Sequence, residues 1–102
     1  MPKFQFTNKA IDDLTDIWNY TLVNWSENQA DKYYKEIINK CKEISENHLD
    51  GKPYDSIYES LKGSKINKHI IFYREIDENL IEIERILHQK MDLRNRLKSK
   101  FL

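Results

Sequence analysis

Two apolar segments flank a short polar turn in the C-terminal half of this 102-residue chain. They are His69–Ile76 and Leu80–His88, and the turn between them reads Asp77-Glu78-Asn79. In the first segment, apolar side chains occupy both of the alternating sets of positions, which is typical of a strand inside a sheet. The pair therefore predicts a β-hairpin whose first strand is central, so the C-terminal half of the chain should be a sheet.

The N-terminal half has helical periodicity after one short strand. The alternating segment Lys3–Thr7 predicts that strand, and Thr7 is placed to cap the helix that follows. Apolar residues then recur every three or four positions, which predicts one buried helix face. The predicted buried face consists of Ala10, Ile11, Leu14, Trp18, Leu22 and Trp25, and the predicted solvent face of Asp12, Asp13, Asp16 and Asn19.

A second helix follows almost without a connecting loop. Ser26 and Gln29 have the spacing of a capping box, and Trp25 and Ala30 have that of a hydrophobic staple. The apolar stripe of this helix consists of Ala30, Tyr33, Ile37, Cys41 and Ile44. Two long helices with so short a connection predict a helical hairpin.

The remaining segments complete the sheet. The segment 47–56 contains Gly51 and Pro53 and is predicted to be a loop. A weaker strand is expected between residues 57 and 66, with a possible bulge at Gly63, and Asn67-Lys68 has the length of a hairpin turn. At the C-terminus Asp92 is placed to cap a short helix whose apolar positions are Leu93, Leu97 and Phe101.

This order of elements predicts an α+β fold in one domain that spans residues 1–102. An N-terminal strand precedes a helical hairpin, and the hairpin packs on one face of an antiparallel sheet. The sheet contains a C-terminal three-stranded meander, and a short C-terminal helix ends the chain.

The composition argues against several classes of site. Cys41 is a single cysteine at a core-facing position, which indicates a buried, inert thiol. Without a cysteine pair or a close histidine pair, no metal site or other cofactor is expected. Two glycines are too few for a glycine-rich phosphate loop. No apolar run is long enough for a membrane span and no signal peptide is evident, so a cytoplasmic protein is expected.

The formal net charge is zero, but the charges are unevenly distributed. From Lys90 onward the chain has five basic residues and one acidic residue. A local positive patch is therefore predicted without a global attraction to nucleic acid. The same pattern is equally typical of a solvated helix face, so the sequence leaves both interpretations open.

Several segments in order resemble the RelE/ParE superfamily of toxins from bacterial toxin–antitoxin modules, and the ParE branch in particular. They are Asp16-Ile17-Trp18, Leu61-Lys62, His69-Ile70-Ile71-Phe72-Tyr73-Arg74 and Arg85-Ile86-Leu87-His88-Gln89-Lys90-Met91-Asp92. The similarity extends over nearly the whole chain and is most specific from His69 to Asp92. It departs near Gly63, where the family would have a bulkier residue.

The resemblance implies a toxin of a type II, or plasmid stabilisation, system that a ParD-like or related antitoxin neutralises. ParE-type members are understood to inhibit DNA gyrase by binding, whereas RelE-type members cut messenger RNA on the ribosome. In the nuclease relatives an arginine commonly occupies the position of Ile70. Its absence favours the gyrase-directed branch, in which direct nucleic-acid binding is not expected. An inactive relative that still binds an antitoxin is a third interpretation.

Two groups of residues follow as candidates. The predicted target-binding residues are Arg74, Arg85, His88, Lys90 and Arg94, and a nuclease would use His88, Arg85 and Arg74. The predicted antitoxin-binding residues are Trp18, Trp25, Tyr33, Tyr34 and Ile37. Each has a structural alternative: His88 could bond a backbone carbonyl, Arg85 could pair with Asp92, and the aromatic residues could belong to the core.

Overall fold

The computed structural model describes residues 3–91 and Leu97. Within this part of the chain, two helices pack on a five-stranded sheet, as the α+β prediction required. The elements are β1 (Lys3–Phe6), α1 (Asn8–Asn24), α2 (Glu27–Glu46), a 3-10 turn (His48–Asp50), β2 (Lys52–Pro53), β3 (Lys62–Ile66), β4 (His69–Asp77) and β5 (Leu80–His88).

Side-chain caps fix the starts of both helices. The Thr7 hydroxyl accepts a hydrogen bond from the Ala10 amide at 3.0 Å, and the Ser26 hydroxyl accepts one from the Gln29 amide at 3.1 Å. Each bond satisfies an amide that has no partner inside its helix. The predicted caps and the helical hairpin are confirmed.

The sheet is mixed, which corrects the expectation of an antiparallel sheet. Its order is β1-β5-β4-β3-β2, and β3, β4 and β5 form the predicted antiparallel meander with β4 at the centre. β1 pairs with β5 in parallel, with Phe4 opposite Ile81 and Phe6 opposite Ile83. A parallel partner is possible because the whole helical hairpin lies between these two strands in the chain.

The segment between the helices and β4 differs from its prediction in two ways. Residues 52–53 form the short edge strand β2 inside the predicted loop, and β3 begins only at Lys62. β3 pairs with β4 without a register shift, so the bulge expected at Gly63 is absent. A Cβ at Gly63 would lie 2.7 Å from the Tyr54 ring. Glycine is therefore explained there by the close approach of Tyr54.

Two register shifts occur instead between β4 and β5. Phe72 pairs with Arg85 and Tyr73 with Ile83, which leaves Glu84 as an extra residue in β5. Ile76 is the compensating extra residue in β4. Because each extra residue reverses the alternation of side chains, Leu87 lies on the face opposite to Ile83, whereas a regular strand would place both on one face.

The two sheet faces carry separate cores. The helix-covered face packs Ala10 and Leu14 of α1 and the α2 stripe against the sheet residues Ile71, Tyr73, Ile81, Ile83 and Ile86. The other face packs Leu61, Phe72, Leu87 and Leu97 together with the side chains of the 54–58 segment. Leu97 is fully buried there, whereas the predicted helix cap Asp92 and the positions Leu93 and Phe101 lie outside the described residues.

The buried face of α1 is rotated from the predicted one. Ile11 is 48% exposed and Trp25 is 74% exposed, whereas Asp13 is largely buried. The reason is that Asp13 has a cationic partner on β5, which holds this carboxylate toward the sheet. The prediction that Asp13 faces solvent was therefore wrong, and so was the prediction that Ile11 and Trp25 belong to the core.

Candidate functional site

A groove of about 1090 Å³ lies between the tip of the helical hairpin and the end of the sheet. We call it the hairpin groove. Its helix side includes Tyr20, Trp25 and Tyr33, and its sheet side includes His69 and His88. The rest of its lining is Asp16, Ile17, Thr21, Gln29, Lys32, Glu36, Asn67, Lys68, Lys90 and Met91. It therefore has aromatic surface on one side and basic and imidazole groups on the other.

The exposed aromatic residues give the hairpin groove the character of a protein-binding surface. Tyr20 is 67% exposed and Trp25 is 74% exposed, and Met91 across the groove is also exposed. Aromatic residues and methionine are enriched at protein interfaces, where they contribute large contact areas. The groove is open and is lined by side chains of both signs, as expected for a surface that contacts a polypeptide.

His69 and His88 are direct cross-strand neighbours at the sheet end of the groove. Their ring centroids are 5.3 Å apart in an edge-to-face arrangement, so the prediction that the chain lacks a close histidine pair was wrong. His88 Nδ1 accepts a hydrogen bond from the Lys90 amide at 3.1 Å, whereas the structural alternative had His88 donating to a backbone carbonyl. Burial and the proximity of His88 lower the pKa of His69.

Tyr33 fixes the ring of His69. Its hydroxyl lies 2.8 Å from His69 Nδ1 and 3.3 Å from the carbonyl oxygen of Ile66. Burial raises the pKa of Tyr33, so the phenol remains protonated at neutral pH. Tyr33 thereby connects α2 to Ile66 and His69, the residues on either side of the β3–β4 turn.

Arg85, a predicted target-binding residue, forms a structural ion pair. Its Nε donates to Asp13 Oδ2 at 2.7 Å and its Nη2 donates to Asp13 Oδ1 at 2.9 Å. Both side chains are only 11% exposed. The hydrogen bonds that Arg85 donates to the Asp13 carboxylate raise the pKa of Arg85. The structural alternative for Arg85 is therefore observed, but its carboxylate partner is Asp13 and not Asp92.

Arg74 lies far from the histidines and on the other face of the sheet. Its guanidinium group is 4.9 Å from the centre of the Tyr58 ring, a cation–π distance. Tyr58 packs against the core of that face. Arg74 is five residues from His69 along β4, which corresponds to roughly 16 Å. Arg74, Arg85 and His88 therefore do not converge on one point.

The other predicted site residues are divided among three environments. Lys90 lines the hairpin groove and is exposed, and Arg94 lies outside the described residues. Of the predicted antitoxin-binding set, Trp25 and Tyr33 line the groove. Trp18 and Tyr34 lie along the seam between the helices, where the Trp18 indole donates to Asp31 at 3.4 Å. Ile37 is fully buried in the core, so it offers no surface to a partner.

Several groove residues were missed by the sequence reasoning. Tyr20, Lys68 and Met91 line the groove, but none belongs to a predicted apolar face or to a predicted site. The His69–His88 contact had a usable signal. In the predicted hairpin His69 lies eight residues before Asp77 and His88 lies nine residues after Asn79, so a regular register places His69 within one position of His88.

Other kinds of site were also considered. No group of three potential metal ligands is present among residues 3–91 and Leu97. Burial raises the pKa of Cys41 to about 12, which leaves an unreactive thiol. Neither described helix combines the length and the apolar composition that crossing a membrane requires.

Comparison with known proteins agrees with this architecture. The family model of the ParE toxin of the type II toxin–antitoxin system parDE matches residues 4–93. Toxin ParE1 of Caulobacter vibrioides (strain CB 15) is 31% identical over 97 residues, which cover 95% of this chain and 99% of the relative. Toxin ParE1 of Mycobacterium tuberculosis (strain CDC 1551 / Oshkosh) is 31% identical over 80 residues, covering 78% and 82%.

A solved structure shares the fold. A chain from the chromosomal ParDE TA system of P. aeruginosa superposes with a TM-score of 0.72 at 21% identity, covering 86% of this chain and 96% of that chain. The family match covers most of the sequence, and the relatives align over most of their own lengths. The chain therefore belongs to the ParE toxin family of type II toxin–antitoxin systems.

Proposed function

We propose that this chain is a toxin that inhibits DNA gyrase by binding to it, in the bacterial cytoplasm, and that a ParD-like antitoxin holds it inactive. Its membership of the ParE family is the starting point. The relatives are named as ParE1 toxins, and the structural neighbour belongs to a ParDE system. The geometry of the candidate residues supports binding over cleavage.

The observation that carries the proposal is the separation of the three residues that a nuclease would need. RNA cleavage requires cationic groups and a proton-transfer group around one phosphate. Here Arg85 is neutralised by Asp13, and Arg74 lies over Tyr58 on the opposite sheet face from the histidines. The position of the family's nuclease arginine is Ile70, a half-buried residue packed against the second core. Inhibition by contact needs no such convergence.

We assign the hairpin groove to the antitoxin. Trp25 and Tyr33, two of the predicted antitoxin-binding residues, line it together with the exposed Tyr20. The predicted target-binding residues His88 and Lys90 line the same groove. An antitoxin segment that fills the groove therefore covers part of the target-binding surface, which explains neutralisation by occlusion.

A gyrase supercoiling assay with the purified chain tests the proposal. The wild-type chain is expected to block supercoiling or to trap cleaved DNA at micromolar concentration, and an equimolar antitoxin should abolish the effect. Lys90→Glu should weaken inhibition about tenfold, because it reverses a charge on the target surface. Lys65→Glu reverses an exposed charge on β3 outside the groove and is the matched control.

Arg74→Ala in the same supercoiling assay tests whether gyrase also contacts the opposite face of the sheet. Normal supercoiling at micromolar excess of the wild-type chain would refute gyrase inhibition. In that event, cleavage of messages on translating ribosomes that is lost in His88→Ala would assign the chain to the nuclease branch.

A further inference from the structure

The two histidines of the hairpin groove present nitrogen atoms that the fold does not use. His69 Nδ1 contacts the Tyr33 hydroxyl, and His88 Nδ1 accepts from the Lys90 amide. Among the described residues, neither Nε2 atom takes part in a hydrogen bond. The neutral His88 ring carries its proton on Nε2, because its Nδ1 is an acceptor. His88 is therefore a fixed hydrogen-bond donor at the sheet end of the groove.

The proton on His69 determines whether this ring is a second donor. The Tyr33 hydroxyl has one proton, and it contacts both His69 Nδ1 and the Ile66 carbonyl. When the hydroxyl donates to Ile66, neutral His69 must carry its proton on Nδ1, which leaves Nε2 an acceptor. In the doubly protonated ring, Nδ1 donates to Tyr33 while Nε2 also becomes a donor. Only protonated His69 satisfies Tyr33, Ile66 and an anionic ligand at once.

The charges around the pair favour an anion. The charged and titratable groups that face it across the groove come from α1, α2, the β3–β4 turn and the end of β5. They are Asp16, Tyr20, Lys32, Tyr33, Glu36, Lys68 and Lys90. Glu36 is 3.5 Å from the side-chain amide of Asn67. Among the described residues, neither Lys68 nor Lys90 forms an ion pair. In the part of the chain that the structure describes, two lysines without an ion pair thus line the groove together with two imidazoles.

We propose that His69 and His88 form a carboxylate-binding subsite of the hairpin groove, and that a carboxylate of an acidic antitoxin segment binds there with uptake of one proton by His69. The occupant is an amphipathic acidic segment, because its carboxylates meet Lys68 and Lys90 while its apolar side meets Tyr20 and Trp25. This inference rests on the proposed function, since it specifies the chemistry of the antitoxin in the same groove.

In the empty groove, burial and the adjacent His88 lower the pKa of His69, so the ring is neutral at pH 7. A carboxylate acceptor within hydrogen-bonding distance has the opposite effect and favours the imidazolium. The proton is therefore gained on binding and not before. Acidification strengthens the complex, and alkaline conditions release the toxin.

Titration of the full chain with its antitoxin between pH 6 and pH 8 tests the linkage. The wild-type dissociation constant is expected to rise about tenfold across this range as proton uptake becomes unfavourable. Calorimetry in phosphate and in Tris, which differ in ionisation enthalpy, should report uptake of a proton at neutral pH. In His69→Gln the pH dependence should disappear. His48→Gln changes a histidine outside the groove and should retain it.

A Tyr33→Phe variant tests whether proton uptake by His69 depends on the Tyr33 hydroxyl. It removes the oxygen that accepts from Nδ1 of the protonated ring, so the pH dependence of antitoxin binding should flatten. A pH dependence that persists unchanged in His69→Gln would overturn the proposal. So would tight binding of the antitoxin with no proton uptake, and that outcome would leave the proposed function intact.

A second measurement does not depend on the antitoxin. The imidazole resonances of the wild-type chain are followed by NMR against pH in 0.3 M acetate and in chloride at equal ionic strength. Acetate should raise the titration midpoint of His69 by about half a pH unit. Equal midpoints for His69 in both salts would overturn the subsite. If acetate shifts His69 but no antitoxin binds at any pH, the subsite stands and the proposed function fails.

Discussion

Asp13 satisfies two groups of β5 with one carboxylate. It pairs with the Arg85 guanidinium and also accepts the Ile86 amide at 3.0 Å. β1 pairs with β5 only as far as Ile83, so the amide of Ile86 lies on an edge that no strand covers. α1 thus completes the hydrogen bonding of β5 with a side chain. This contact holds the helical hairpin at a fixed position on the sheet.

Removal of Asp13 should therefore be costly. Asp13→Ala removes the carboxylate that pairs with the buried Arg85 charge and is expected to lower the free energy of unfolding by about 3 kcal/mol. Urea denaturation measures the loss. Asp12→Ala removes an exposed carboxylate from the same turn of α1 and should change stability by less than about 0.5 kcal/mol. Similar losses in the two variants would contradict a structural role for the pair.

His69 should make stability depend on pH. Its pKa in the folded chain is lowered below the ordinary value of about 6.5, so the unfolded chain binds a proton more readily. The stability that neutral His69 contributes is present above pH 6.5 and is lost as the pH falls through the lower folded-state pKa. His69→Gln should flatten this part of the stability profile in thermal unfolding followed from pH 7.5 to pH 5. A wild-type profile as flat as that of the variant would refute the assignment.

For single residues, the sequence indicated that Arg85 could form an ion pair but did not identify Asp13 as its partner. It allowed Arg85 to be a structural residue paired with a carboxylate, and Asp92 was the candidate. Asp13 was missed because the apolar spacing of α1 seemed to place it toward solvent. The exposed Ile11 and Trp25 show that this spacing includes surface residues, so periodicity alone misplaced the helix face.

The N-caps of the two helices differ in the number of elements to which they form hydrogen bonds. The Ser26 hydroxyl serves only its own helix, whereas the Thr7 hydroxyl also donates to the Glu84 carbonyl at 2.8 Å. Ser26→Ala should cost about 1 kcal/mol, which is the usual value for a cap. Thr7→Ala should cost about 2 kcal/mol, since a hydrogen bond to β5 is lost as well. Equal losses in chemical denaturation would show that the bond to Glu84 contributes nothing.

The packing around Gly63 should not accommodate even one added methyl group. A Cβ there would lie 2.7 Å from the Tyr54 ring and 3.0 Å from Ile70 Cγ2. Gly63→Ala is therefore expected to destabilise the chain by about 1–3 kcal/mol, although alanine normally stabilises a strand relative to glycine. Ser64→Ala, on the adjacent position of β3, is the control. A more stable Gly63→Ala variant in thermal unfolding would contradict the close packing of Tyr54.

Local sequence patterns predicted most of the helices and strands, but they did not predict the parallel pairing of β1 or the bulge in β5. The helices, their caps, the meander and the Asn67-Lys68 turn were all readable from periodicity and spacing. The parallel pairing of β1 was not, because it depends on how the whole hairpin crosses the sheet. The bulge at Glu84 was also hidden, since one extra residue reverses the faces of Ile86 and Leu87 without a local signal.

In the whole molecule, the fold places predicted antitoxin-binding residues and predicted target-binding residues in one groove. Trp25 and Tyr33 of the helical hairpin face His88 and Lys90 of the sheet end, although they lie far apart in the sequence. The sequence supplied these four members of the groove but not their proximity, which arises from the packing of the hairpin over the meander. It also grouped Arg74 and Arg85 with His88, and the structure separates them.

The central claim is that the chain acts by binding gyrase and not by cutting RNA. Induction of the chain in a bacterial host, with microscopy and RNA analysis of the same culture, tests it most directly. The account predicts filamentous cells and a DNA-damage response while messages remain intact, and co-expression of the antitoxin should suppress both. Rapid growth arrest with messages cut on ribosomes would contradict it and would show that the separation of Arg74, Arg85 and His88 does not prevent catalysis.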